Sequence, residues 1–239
     1  MLPLHDINPR RRFPLLTYAL IAINVVVFLL QLGRSEEELL RIFYEQSVVP
    51  SLASAAPFAP ETLLDVIRSM FFHGGWFHLL SNMLYLWLFG DNIEDRFGEI
   101  LYIVLYFLSG FVAAYAQVLI DPTSNIPLVG ASGAIAGVLG SYLVLFPNVR
   151  VRGIIPLGYF LSHQEWPAWL VLGMWFVLQL INGFTSLGVV DSGGVAFFAH
   201  IGGFVAGAIF TLIFMRLVPQ PSEPERRQMI HERGRRYWY

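Results

Sequence analysis

Cysteine is absent from the 239 residues, and every basic residue is arginine. The first absence removes disulfides, thiol nucleophiles and cysteine-based metal sites. Charge of either sign is scarce: 13% of residues carry it, against roughly 25% in ordinary globular domains. The net charge of −2 leaves no global basic field, so nucleic acid is not an expected partner. Long polar stretches are few. What fills the chain is apolar: 56% hydrophobic residues, gathered in blocks of about 20, long enough to cross a bilayer core. These features define a multi-pass, all-α membrane protein.

Six apolar blocks can be drawn. The first runs from Pro14 to Leu32, behind an arm (1–13) carrying Arg10, Arg11 and Arg12. It is longer than a signal-peptide core and no small-residue cleavage site closes it, so it reads as a retained helix with its N-terminus inside. The segment Gly33 to Ser69 is too polar to cross. Ser35 followed by Glu36, Glu37 and Glu38 is an N-cap with an acidic first turn, and Leu39, Leu40 and Phe43 share a face, giving an interfacial amphipathic helix. A second short helix, Glu61 to Ser69, follows Pro57 and Pro60. The second block spans Trp76 to Gly90, and 91–98 reads as a compact polar turn. The third is Ile100 to Ile120, the fourth Ser132 to Phe146, the fifth Ala168 to Phe184 and the sixth Val195 to Val218. The apolar run 154–161 is short and holds Pro156, so it is expected to lie on the inner surface. An Arg-rich tail, 219–239, closes the chain.

Six crossings return both ends to one side. With the arm inside, the arginines of the tail and of the loop holding Arg150 and Arg152 are also inside, as the distribution of basic residues in membrane proteins demands. The expected organisation is an inner arm (1–13), a membrane domain (14–218) and an inner tail (219–239). A prokaryotic cell membrane, with both termini cytoplasmic, is the expected location.

Polar side chains in a span are costly and need partners. His78 and Asn82 are four apart and share one helix face. Ser132 opens the fourth block inside Gly130-Ala131-Ser132-Gly133, and His200 lies in the first two turns of the sixth. All four fall at similar depth on the outer side. Gly133 and Gly137, and Ala199, Gly203 and Gly207, form small faces that let two helices approach closely. Taken alone, the glycine-flanked serine suits tight packing as well as a nucleophile. With the four polar residues at one depth, the pattern reads as Ser132 nucleophile, His200 general base, and His78 with Asn82 as donors to an oxyanion. No carboxylate sits near His200, so a Ser–His dyad is expected. The histidines lack the spacing of common zinc sites, and no metal is expected.

At these residues the chain resembles the rhomboid family of intramembrane serine proteases. The matching pieces are His78-x-x-x-Asn82, Gly130-x-Ser132-Gly133 and Ala199-His200-x-x-Gly203, supported by His73 and by Glu94, Arg96 and Gly98. The resemblance implies a six-helix rhomboid-like bundle with a cavity open to the outer side. The implied activity is serine endopeptidase cleavage in or near the transmembrane segments of other membrane proteins, with no cofactor. It adds the Ser132 backbone amide to the oxyanion donors and gives Gly130, Gly133 and His73 supporting places. Two departures stand out. Some members carry a Trp-Arg pair in the first outer loop, where this chain has only Arg68 out of register. Some place an aromatic residue four positions after the serine against the catalytic imidazole, where this chain has Ala136, so another side chain must hold His200. The alternatives are a non-catalytic rhomboid-like protein that binds membrane clients, and a small transporter. The retained dyad argues against the first, and the lack of internal repeats against the second.

Overall fold

The computed structural model describes residues 2–8, 10–157, 160–187 and 195–218. The tail at 219–239 and part of the loop before the sixth block lie outside these residues. Helices dominate: α1 (Leu15–Gln31), α2 (Glu36–Gln46), α3 (Pro50–Ala55), α4 (Pro60–Ser69), α5 (Trp76–Ile120), α6 (Ser132–Leu145), α7 (Ala168–Ser186) and α8 (Phe197–Leu217). By length and apolarity α5, α7 and α8 can cross a membrane, and α1 and α6 are shorter apolar helices.

The central element is α6. Eleven of its fourteen residues are buried, so it is a helix enclosed on all sides, as its unbroken apolar character requires. Its glycines are where α8 comes in. A methyl group on Gly207 would overlap the carbonyl oxygen of Gly137, one on Gly203 that of Gly133, and one on Gly140 that of Phe204. The two backbones therefore touch, and no larger side chain fits between them. The close packing read from the small-residue spacing is present.

Residues 91–98 are not a turn. The helix of the second block runs on through them and breaks at Gly98 alone, where φ is 77° and ψ 170°, a conformation open to glycine. The acidic side chains of this stretch face the N-terminal arm. Arg10 pairs with Asp91 at 2.9 Å, Arg11 with Asp95 at 3.2 Å, and the Arg12 amide donates to Asp95 at 2.9 Å. Glu94 accepts from the amides of Leu16 and Thr17 and from the Thr17 hydroxyl, at 2.9, 2.8 and 2.7 Å. A carboxylate thus sits on the free amides at the start of α1, where the helix dipole favours it. From there Thr17, Leu20, Asn24, Phe28 and Gln31 form one buried stripe along α1.

The first outer segment matches its reading in part. Ser35 and Glu38 form a reciprocal capping box on α2, and α4 begins at Pro60. The anchoring of this segment comes from the 121–130 loop instead of a Trp-Arg pair. Ser51 binds Ser124 and Asn125, Ser54 binds the Pro122 carbonyl, and Val48 pairs with Leu128. Arg68 is held by Asp65 at 3.1 Å, one turn away on its own helix.

The expectation of an all-α chain is corrected by a small sheet. Strands β1 (Leu2–Asp6), β2 (Arg150–Leu157) and β3 (Phe160–Pro167) pair antiparallel in the order β1-β2-β3. The described residues of the run 154–161 therefore belong to paired strands, in which Ile154 pairs with His163 and Ile155 with Ser162. Strand β1, within the segment 1–13, forms one edge of the sheet. Sequence patterning concealed this, since apolar residues in a short Pro-containing run do not distinguish strand from surface-lying coil.

Asp6 at the end of β1 is buried against the far end of α6. It accepts from the Tyr142 hydroxyl at 2.7 Å and from Asn92 at 2.9 Å. Burial outweighs these donors and the nearby Arg10, and with Asp91 close by it pushes the Asp6 carboxyl up to about 7. The folded state thus holds a proton that the unfolded chain, titrating near 3.8, has lost. Stability from this group falls as pH rises between those two values. Hydrogen exchange of the β1 amides should accelerate from pH 5 to pH 8 beyond the intrinsic chemical rate, and Asp6→Asn should remove that excess. At the other contact, Gly207→Leu should abolish a cooperatively melting protein in detergent, whereas Gly173→Leu, facing open space, should melt like wild type.

Candidate active site

Three helices bring four polar residues to one end of the helix bundle. Ser132 is the first residue of α6, His200 lies in the first turn of α8, and His78 and Asn82 lie in the first two turns of α5. All four line one cavity of about 510 Å³. Its other walls include Tyr85, Gln117, Leu139 and Trp175, with Pro50 of the first outer segment and Ile126 to Val129 at its rim.

The central contact is between Ser132 Oγ and His200 Nε2, 2.7 Å apart. The other ring nitrogen, Nδ1, is 2.8 Å from Gln179 Oε1 on α7. An amide oxygen only accepts, so Nδ1 carries the proton and Nε2 presents a lone pair to the serine hydroxyl. The Trp175 ring lies against His200 with centroids 6.0 Å apart and is itself stacked on Phe204. The packing partner that Ala136 lacks is thus supplied by α7.

His78 stands on the other side of the serine. Its Nδ1 accepts a long bond, 3.4 Å, from the Gly74 amide, which leaves Nε2 as the protonated nitrogen. A Cβ on Gly130 would lie 2.6 Å from that Nε2 and 3.6 Å from Ser132 Oγ, so any side chain there would crowd both groups. Its φ of 122° is in the region that favours glycine, and its amide donates to the Ser69 carbonyl at 2.8 Å. Asn82 Nδ2 is buried and has no hydrogen-bond partner among the described residues. The Ser132 amide opens a helix and has no intrahelical acceptor. Three donors without an acceptor thus belong to residues that line the same cavity.

His73 does not reach the cavity lining. Its backbone is clamped by the Gln31 side chain, which donates to its carbonyl at 2.8 Å and accepts from its amide at 3.2 Å. Its ring meets His78 edge-on at 5.1 Å. Burial, with His78 beside it, pushes the His73 imidazole down to about 4, so it is neutral at physiological pH and supports His78 by packing. Gly133 lies under the site, packed on Ala113 and α8. Sequence reasoning missed Gln31, Gln179 and Trp175. The signal for the first two was present, because each is a polar residue in an apolar block and so needs a partner.

A serine hydroxyl on an imidazole, in a cavity of a helical membrane protein, is chemically capable of attack on a carbonyl. The chain belongs to the rhomboid family: the Rhomboid domain model matches residues 60–217. It is 27% identical over 233 residues to Rhomboid protein 1, mitochondrial, of Saccharomyces cerevisiae, covering 94% of this chain and 58% of that protein. It is 33% identical over 156 residues to RHOMBOID-like protein 5 of Arabidopsis thaliana, covering 65% of this chain and 45% of that one. With Rhomboid protease AarA of Providencia stuartii it shares 30% over 164 residues, 63% of this chain and 55% of that protein. The chain thus spans about half the length of these relatives.

Gly130→Ala tests the geometry around His78. It should slow labelling of Ser132 by a fluorophosphonate at least about tenfold, through displacement of one donor, without lowering the melting temperature enough to unfold the protein at the assay temperature. Wild-type labelling would show that the Gly130 backbone does not set the donor position.

Proposed function

We propose that the protein is an intramembrane serine endopeptidase that hydrolyses peptide bonds in or near transmembrane segments of other membrane proteins. The observation that carries this reading is the 2.7 Å contact between Ser132 Oγ and His200 Nε2 at a cavity holding an unengaged Asn82 donor. Membership of a family that includes a named protease supports it.

In this reading His200 Nε2 takes the hydroxyl proton while Ser132 Oγ bonds to the scissile carbonyl carbon. The carbonyl oxygen becomes an oxyanion, held by His78 Nε2–H, Asn82 Nδ2–H and the Ser132 amide. The C–N bond then breaks, and His200 returns the proton to the leaving nitrogen. Water, deprotonated by the same imidazole, attacks the acyl-enzyme. The C–O bond to Ser132 breaks, its oxygen regains a proton and a free carboxylate leaves.

Topologically, α1, the two parts of α5 on either side of Gly98, α6, α7 and α8 serve as the six crossings. At 14 residues α6 covers roughly 21 Å, less than a bilayer core of about 30 Å. Enclosed by the other helices, it need not reach the surface, and Ser132 then lies below it. In this reading the arginines at 10–12, 150 and 152 favour the inner side for those segments, with both chain ends on that side. A prokaryotic cell membrane fits this orientation. Similarity to a mitochondrial protein makes a mitochondrial membrane the competing location.

Cleavage of a labelled single-span substrate in lipid vesicles tests the activity. Wild type should cleave, Ser132→Ala and His200→Ala should not, and Asn82→Ala should lose about 10²-fold in kcat. Neither cleavage nor Ser132 labelling by wild type would sink the reading and favour client binding.

A further inference from the structure

Resting on the protease reading, we infer that Gln179 is a positioning residue of the catalytic histidine, standing where a carboxylate stands in a Ser-His-Asp triad. Its Oε1 lies 2.8 Å from His200 Nδ1 while Nε2 faces Ser132 Oγ at 2.7 Å. The chain Gln179–His200–Ser132 is continuous, and each link fixes the next. The amide oxygen accepts the Nδ1 proton, which leaves the Nε2 lone pair for the serine hydroxyl. In the opposite tautomer Nε2 would carry the proton, and the imidazole would have no lone pair with which to accept from serine. Gln179 therefore selects the reactive form of the base.

Two further features support this role. Gln179 and Trp175 are one helical turn apart on α7 and so share a face. Trp175 lies against the plane of the His200 ring and is braced by Phe204, while Gln179 fixes rotation of the ring within that plane. Together they supply what a small residue at Ala136 leaves open. Moreover, a glutamine has no business in an apolar helix without a partner, and its oxygen has one only at His200 among the bonds described. An amide is neutral, so it orients the imidazole without adding a charge to stabilise the imidazolium. Its loss leaves the tautomer unselected, and should cost less than the roughly 10⁴-fold lost when an amide in the triad carboxylate's place holds the wrong tautomer.

Two measurements on full-length protein in vesicles or detergent test the inference. In the cleavage assay, Gln179→Leu should lower kcat about 10- to 100-fold with KM unchanged, and Gln179→Glu, which accepts the same proton, should recover most of the loss. A rise in KM alone, or Glu no better than Leu, would overturn the role. The second readout needs no turnover: the ¹⁵N resonances of histidine-labelled protein, with His200 assigned by its absence in His200→Ala. Wild type should show His200 protonated at Nδ1 and bare at Nε2, and Gln179→Leu should shift the population toward the Nε2–H form. The same tautomer in both would refute the inference even if the enzyme proved active. A silent protein whose tautomer still responds to Gln179 would instead fail only the protease reading.

Discussion

Everything at the Ser132 end of this molecule depends on how closely α6 and α8 approach. Gly133 and Gly137 on one helix meet Gly203 and Gly207 on the other, backbone to backbone, with carbonyl oxygens where side chains would otherwise stand. In an apolar solvent there is no hydrophobic gain from bringing two helices together, so contact rests on dispersion between surfaces that can come near. Glycine permits that approach at both helices. Ser132 precedes Gly133 by one residue and His200 precedes Gly203 by three, so the contact that holds the helices also sets a 2.7 Å separation between hydroxyl and imidazole. Packing and the candidate chemistry are one feature of the sequence, and the ambiguity of a serine between glycines resolves as both.

The second constraint is the need to satisfy polar groups among apolar ones. Each buried polar side chain of α1 faces α5 or the loop before it. Thr17 and the first amides of the helix bind Glu94, and Gln31 brackets the backbone of His73. The arginines of the N-terminal segment meet the acids at 91–95. These contacts join the start of the chain to the helix that carries His78 and Asn82, and through Asp6 and Tyr142 to the end of α6 far from Ser132. A helix fixed in this way presents His78 and Asn82 with little freedom to shift, which a site built on separate helices requires.

Much of the architecture was legible because membrane helices announce themselves by length and apolarity, and because intramembrane polar residues are too costly to be accidental. His78, Asn82, Ser132 and His200 stood out on that ground, and all four line one cavity. What escaped reading was of two kinds. The hairpin at 150–167 and its pairing with 2–6 join residues about 150 positions apart, and local pattern contains no record of such a partner. The continuity of helix through 91–97 was obscured by its acids, which look like a solvated turn until the arginines that neutralise them are seen.

The sequence by itself determined the apolar blocks, the small-residue faces and the identity of the four polar residues at one end. These follow from side-chain chemistry and helical period, which act within a single segment. Only the tertiary structure decided which nitrogen of His200 faces the serine, because that rests on Gln179 of a different helix. It likewise decided that Trp175 supports the ring that Ala136 cannot, and that β1 closes a sheet beneath the bundle. A tautomer and a strand partner are relations between segments, fixed by distances of a few ångströms that no one segment encodes.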